Sequence, residues 1–257
     1  MKTEKPLILL TNDDGIFSNG MKALAYALHG LGKIVIVAPD KEQSAVSSAL
    51  TIQRPIRVKG FRLDDKFEAY SVDGTPTDCV KLAFFSLLKR KPDLVVSGIN
   101  HGLNTSINVL YSGTVSGAIE GNLMGVNSIA ISHQSHDHDS DISAAGNIAR
   151  KIASYTLQNN WTEKVLLNIN IPDVPPNSIQ GVKVTRLCNS EWLDRFEKRL
   201  DPWGNSYYWF SGEYKINEDD PNCDDNAVND GFISMTPLDI NFTKSALIDS
   251  LKVFENM

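Results

Sequence analysis

A chain of 257 residues with 42% hydrophobic and 22% charged positions has material for one large α/β domain with a sizeable core, and its composition excludes disorder. The net charge of −6 provides no basic stripe for a polynucleotide, which leaves a small-molecule partner. Cys79, Cys188 and Cys223 lack C-x-x-C spacing and offer neither a disulfide framework nor a zinc knuckle; with only four apolar residues after MKTEKP and no run near the roughly 18 that span a bilayer, a cytoplasmic protein with no membrane partner is expected.

The first apolar run is LILL (7–10). It is followed by Met21, Leu24, Ala25 and Leu28 at helical spacing, stop signals at Gly30 and Gly32, and a second run, IVIVA (34–38), which together make a β-α-β unit. In GTPTDCVKLAFFSLL, Thr75 can cap, Pro76 suits the first turn and Asp78 complements the dipole. Val80, Ala83, Phe84 and Leu87 form an apolar stripe, so a helix is predicted over 76–88. LVVSG (94–98), SIAIS (128–132) and VLLNINI (165–171) read as further strands. Between them lie a helix over 114–124, with Val115, Ala118, Ile119 and Leu123 facing the core, and one over 141–157, with Ile142, Ala145, Ala149 and Ile152. Short β-branched runs alternating with amphipathic segments imply a parallel sheet buried on both faces, hence a doubly wound α/β fold. Past Pro172 the texture changes. GVKVTRL and SYYWFSGEYKI read as hairpin-like extensions, and TKSALIDSLKVFENM returns to helical spacing through Ala246, Leu247, Leu251 and Phe254. No Ser/Gly-rich spacer marks the change, so 1–172 and 173–257 read as a main region and an extension of one structural unit.

Ligands of open α/β sheets sit beyond the carboxyl ends of the strands, and four of the loops there are polar and glycine-bearing. In TNDDG, Gly15 lets the chain turn so that Asp13 and Asp14 converge; such a pair either binds a cation or caps the following helix. APDKEQSAVSSALT brings Ser44, Ser47, Ser48 and Lys41 to the same edge, and SGINHGLNTS brings Asn100, His101 and Asn104. Neutral oxygens beside carboxylates suit a hard cation such as Mg²⁺. In YSGTVSGAIEG, Ser112, Gly113 and Thr114 open a helix, as an anion site or as an ordinary cap. Each loop has a local explanation, but four at one sheet edge favour a metal plus phosphate site.

ILLTNDDGIFSNG, VIVAPDKEQSAVSSALT, VDGTPTDCVKLA, PDLVVSGINHGLN, YSGTVSGAIEG and FISMTPL together resemble the survival protein SurE family of metal-dependent acid phosphatases and 5′-nucleotidases, densely from 7 to 132 and sparsely between about 185 and 230. The resemblance implies one divalent ion, Mg²⁺ or Mn²⁺, held by Asp13, Asp14, Ser44 and Asn100, and a phosphate pocket of Asn104, Ser112, Gly113 and Thr114, with Asp13 and Asp14 catalytic. It implies a Rossmann-like catalytic region over 1–172 and, over 173–257, a smaller carboxy-terminal part with a protruding β-hairpin for oligomerisation. It also implies a homodimer or homotetramer, nucleoside 5′-monophosphates as substrates, and 3′-monophosphates and short polyphosphate beside them. DDNAVNDGFISMTPL departs from the family's pattern before the last strand.

Rival chemistries lack their anchors. No C-x₅-R, G-x-S-x-G, phosphate-loop or dinucleotide motif is present, and adjacent aspartates replace the D-x-D of haloacid-dehalogenase-type phosphatases. That last enzyme class and a nucleotide-sensing module without turnover remain the alternatives. SHQSHDHDSD (132–141) gathers His133, His136 and His138 with three aspartates, but without settled ligand spacing it reads as a connector with an aspartate cap. Trp203 and the aromatic run Tyr207–Phe210 predict an oligomer contact.

Overall fold

Leu7–Thr11 is apolar at four of five positions and buried at all five, which a strand satisfies only when both faces are covered. In the computed structural model, which describes residues 5–137 and 139–257, this segment is β1, near the middle of a nine-stranded sheet. Residues 1–4 of MKTEKP and His138 lie outside the described residues. β2 (Lys33–Pro39), β5 (Leu94–His101), β6 (Ser128–His133) and β7 (Leu166–Ile171) are the other predicted strands, all parallel to β1. An unpredicted pair, β3 (Val58–Leu63) and β4 (Phe67–Val72), extends the edge beyond β2, giving the order β3-β4-β2-β1-β5-β6-β7-β11-β8. β8 is Val182–Val184 and β11 is Ile233–Pro237, antiparallel to β7; both come from beyond residue 172.

Alternation along β1 divides the core. Ile8 and Leu10 pack with Met21, Leu24 and Leu28 of α1 (Asn19–Leu28) and with Ala145 and Ala149 of α4 (Ser143–Gln158). Leu7 and Leu9 face the opposite side, with Cys79 and Val80 of α2 (Pro76–Leu82). The predicted capping of α2 is complete. Thr75 Oγ1 accepts from the Asp78 amide at 3.1 Å, and Asp78 Oδ2 accepts from the Thr75 amide at 2.9 Å. The α-helical segment ends at Leu82, short of residue 88, and the chain continues through a π turn over Ala83–Leu87.

The helix that matters most for the site, α3 (Gly113–Leu123), lies on the sheet through Gly113, Gly117 and Gly121, four residues apart on one face. A Cβ on Gly117 would stand 2.9 Å from Thr11 Cγ2, and one on Gly121 would stand 2.7 Å from Val95 Cγ2. Only glycine permits so close an approach across β1 and β5. Leu123, predicted to face the core, is exposed because the glycine face takes the sheet side.

From the sheet rises an antiparallel hairpin, β9 (Ser190–Leu200) and β10 (Ser206–Ile216), paired over eleven residues and largely exposed. The predicted last helix is three short pieces, 3₁₀ over Ser245–Leu247, α6 over Ile248–Leu251 and 3₁₀ over Lys252–Asn256. Leu247, Leu251 and Phe254 are exposed, so this segment has no core within the chain to pack on. One expectation is overturned outright. Cys188 and Cys223 form a disulfide, leaving Cys79 as the free, buried cysteine. Their separation of 35 residues carries no local signal, and an odd count excludes only a fully paired set. The bond ties the base of the hairpin to the start of α5 (Asp224–Asn229), alongside a bridge between Arg186 and Cys223. Among the described residues no helix is long and apolar enough to cross a membrane.

Closing that loop restricts the unfolded chain, so replacing both cysteines by serine is expected to cost roughly 2–4 kcal/mol of stability. Urea unfolding of the two proteins measures it; identical midpoints would mean that the bond contributes nothing.

Candidate active site

Strand order reverses at β1, whose successive crossovers lead to β2 on one side and β5 on the other. At such a switch point the following loops part and leave a crevice. The loops after β1, β2, β5 and β6 and the start of α3 border one cavity of about 730 Å³. Asp13, Asp14, Ser44, Asn100, Asn104 and Ser112 all line it. Gly113 and Thr114 stand directly behind, against Asp13.

Asp13 is buried, and burial pushes its carboxyl above the ordinary range. The Thr114 hydroxyl and backbone hydrogen bonds, including those of Thr114 and Gly113, act in the opposite sense. The helix terminus predicted to receive an anion therefore bears on the protein's own carboxylate. A Cβ at Gly113 would lie 2.8 Å from Asp13 Cβ, so glycine is what lets the two meet. Asp14, half-buried, faces the same cavity, after which Gly15 takes φ 98° to turn the chain away.

Asn100 sits where β5 shifts register against β6. Its Nδ2 donates to the carbonyls of Gly102 (2.8 Å) and His101 (3.2 Å), which leaves Oδ1 to face Thr114 Oγ1 at 3.4 Å. Asn104 is clamped from neighbouring strands. Its amide donates to Asn170 Oδ1 at 2.8 Å, its carbonyl accepts from Asn168 Nδ2 at 2.7 Å, and its Nδ2 donates to Ser132 Oγ at 2.8 Å, leaving the second amide hydrogen for a ligand. Ser112 caps α3, accepting from the Val115 amide at 3.0 Å. The serine loop is pinned to this helix by Ser48 Oγ with Ser116 Oγ (3.0 Å) and to the turn before it by Ser47 Oγ donating to the Leu110 carbonyl (2.7 Å). Ser44 is exposed, and its hydroxyl donates to Glu42 Oε1 at 2.5 Å.

The lining also contains Glu42, Asn108, Trp192, Tyr214, Asp225 and Asn229, none anticipated as site residues. Trp192 and Tyr214 come from the hairpin base and Asp225 and Asn229 from α5, far away in sequence. Tyr214 OH donates to Asp225 Oδ2 at 2.6 Å, and Thr105 Oγ1 donates to its Oδ1 at 2.5 Å. Four carboxylates line the cavity, with no lysine or arginine among the lining residues. A buried carboxylate beside a second one, with amide and hydroxyl oxygens close by, suits a hard divalent cation. His101 is buried in the wall, and His136 lies against Gly102. In the SHQSHDHDSD loop, His133 is buried at the end of β6 with Nε2 3.8 Å from Asp173, and the expected aspartate cap is not formed: the N-cap of α4 is Ile142, with no side-chain cap bond, while Asp141 accepts from the Ser143 amide two residues on. Among the described residues, this loop contributes to no group of three metal-ligating side chains.

Comparison with known proteins gives one consistent match. The profile of the survival protein SurE family covers residues 8–194. The 5′-nucleotidase SurE of Flavobacterium johnsoniae is 42% identical over 256 residues, 99% of each chain. That of Pelotomaculum thermopropionicum is 46% identical over 247 residues, 95% of this chain and 93% of its own. The crystal structure of the SurE protein from Aquifex aeolicus superposes with a TM-score of 0.83 at 39% identity, over 97% of this chain and 100% of that one.

Beside the cavity, burial pushes the Asp224 carboxyl up to about 6 from 3.8, against backbone N–H bonds from Ser106 and Cys188. A folded value above the unfolded one means that this group's contribution to stability is complete below about pH 4 and is lost as pH rises through about 6. The shift corresponds to about 3 kcal/mol at most. Wild type should lose up to that much relative to Asp224→Asn between about pH 4 and pH 7 in denaturant unfolding; a constant difference would refute the assignment.

Proposed function

Because the chain belongs to the survival protein SurE family, we propose that it is a divalent-metal-dependent phosphomonoesterase that releases phosphate from nucleoside 5′-monophosphates, with 3′-monophosphates and short polyphosphate as further substrates. The observation that carries this reading is the meeting of Asp13, Asp14 and Asn100 at the switch point in a cavity with no lysine or arginine in its lining. A phosphate dianion there needs a cation to offset the carboxylates.

Asp13, Asp14, Asn100 and Ser44 would hold one Mg²⁺ or Mn²⁺ ion, which when bound polarises a phosphoryl oxygen and acidifies a coordinated water. Thr114 and the amides at the start of α3 favour the charged form of Asp13 against the larger effect of burial, and they fix it in place. Asp13 and Asp14 both face the cavity, and one of the two would accept a proton from the attacking water. Asn104 orients a phosphate oxygen through its remaining amide hydrogen, and His101 is the wall residue able to protonate the leaving oxygen. The assembly is a homodimer or homotetramer through the exposed aromatics of the hairpin and the exposed apolar carboxy-terminal pieces. A cytoplasmic setting is part of this reading, with the Cys188–Cys223 disulfide an uncommon feature for that compartment.

A phosphate-release panel of 5′- and 3′-mononucleotides, ribose 5-phosphate, tripolyphosphate and an aryl phosphate tests it. Release from the 5′-nucleotides with Mg²⁺ or Mn²⁺, abolished by EDTA and restored by excess metal, is expected. Much faster cleavage of the aryl and sugar esters than of every nucleotide would overturn the nucleotidase assignment, and inertness of every ester would leave a sensor.

Asp13→Asn should lower kcat/KM by on the order of 10²-fold or more, because the lost charge contributes to metal binding and transition-state stabilisation. The same variant, free of metal, is expected to unfold at higher denaturant than wild type near pH 7, since burial disfavours the charged form of the Asp13 carboxyl and its contribution to stability falls as pH rises. Wild-type turnover by this variant would reduce Asp13 to a structural cap.

A further inference from the structure

The cavity is larger than a metal–phosphate centre requires; at about 730 Å³ it falls in the range of roughly 300–1,000 Å³ that whole small-molecule ligands occupy. To the carboxylates and amides of the sheet edge its lining adds two aromatic side chains of the hairpin base, Trp192 and Tyr214, beside Tyr111. Trp192 of β9 is held from two sides. Its Nε1 donates to Asn108 Oδ1 at 2.8 Å, and its ring lies 5.2 Å from that of Tyr214 at an interplanar angle of 53°. Tyr214 is fixed in turn, with its hydroxyl donating to Asp225 and accepting from Ser190 Oγ at 2.8 Å. With its one polar hydrogen satisfied, the indole remains 40% exposed and lines the cavity. Such a side chain has no edge chemistry to offer a ligand. It offers a flat, immobilised π face.

We propose that Trp192, backed by Tyr214, is the platform on which the nucleobase of the substrate stacks, so that the hairpin base supplies the nucleoside subsite of the cavity. This deepens the phosphomonoesterase reading and rests on it for the position of the phosphate. Stacking on a preset ring carries little ordering cost and accepts any base, because every base has a π face. The platform therefore selects nucleotides over esters without a base, and does so with little discrimination among bases. Trp203 and Trp209 lie on the exposed hairpin outside the cavity lining, so Trp192 has a role distinct from theirs.

Two measurements on the full chain separate the platform from the reading beneath it. In the first, kcat/KM for adenosine 5′-monophosphate is divided by that for ribose 5-phosphate, which lacks the base. Trp192→Ala should lower this ratio roughly 5- to 100-fold, the range of one base–aromatic stack, and Trp192→Phe should recover most of it. Equal losses on both esters would make Trp192 a prop for the hairpin, and an unmoved ratio would remove it from recognition; either overturns the platform while the hydrolase reading stands. In the second, Trp192 is the sole tryptophan in a Trp161→Phe, Trp203→Phe, Trp209→Phe protein titrated with adenosine in EDTA. Quenching by adenosine and none by ribose is expected. If that quenching occurs but no ester is hydrolysed with metal, the hydrolase reading fails and the platform survives; no quenching up to millimolar adenosine overturns the platform.

Discussion

The closeness with which α3 lies against β1 and β5 is the constraint on which the candidate site depends. Three glycines, at 113, 117 and 121, bring helix backbone into contact with Asp13, Thr11 and Val95, where any Cβ would collide. That approach brings the first amides of the helix and the Thr114 hydroxyl onto a carboxylate whose charged form burial disfavours. It also sets the register of what surrounds the cavity. Ser112 caps the helix, Ser116 holds the serine loop through Ser48, and Thr114 meets Asn100 from β5. A displacement of the helix by a fraction of an ångström would be felt at four loops together, because protein interiors are close-packed and transmit strain.

The second half of the cavity is assembled by a different device. Asp224 accepts from the amides of Ser106 and Cys188, while Asp225 accepts from Thr105 and Tyr214, so two adjacent carboxylates join the loop after β5 to the hairpin base. The Cys188–Cys223 bond adds a covalent tie between the hairpin base and the start of α5, which carries these two carboxylates. These groups carry the polar interior of a part of the chain with few apolar contacts, since the hairpin is exposed for most of its length. Satisfied polar networks of this kind specify geometry more than they add stability. Here the geometry specified is the orientation of Tyr214 and, through it, of Trp192.

Legibility in the sequence followed the range of the interactions. β1, β2, β5, β6 and β7 were readable because strands buried on both faces are continuous apolar runs, and the capping box of α2 because its partners are three residues apart. β3 and β4 were not, since an edge hairpin with exposed Val58, Lys59 and Arg62 alternates too weakly to stand out. Leu123 was misread because, although Val115 and Ala118 of its stripe are buried, the glycine face of α3 takes the sheet side and the stripe runs out to solvent at the last turn. In the site, Asp13, Asp14, Asn100 and Asn104 announced themselves as polar loops after apolar strands. Trp192, Tyr214 and Asp225 did not, because 80 or more positions separate them from the serine cap at Ser112 and no local pattern marks a cavity wall. The disulfide was missed for the same reason: a contact across 35 residues of hairpin leaves no periodicity.

The two ends of the cavity differ in how they depend on charge. The lining carries Asp13, Asp14, Glu42 and Asp225 and no lysine or arginine, on a chain whose net charge is −6. A phosphate monoester near neutral pH brings about −1.5 to −2 charges of its own, so the amide hydrogens of Asn104 and the helix dipole cannot by themselves offset the repulsion. On the phosphomonoesterase reading a divalent cation is then as much a condition for binding the phosphate as for breaking its ester bond. The aromatic end carries no such condition, because stacking on an indole is insensitive to the state of the carboxylates. The nucleoside product loses its electrostatic anchor when the phosphate is cleaved and retains only the stack, which favours its departure once the ester bond has broken.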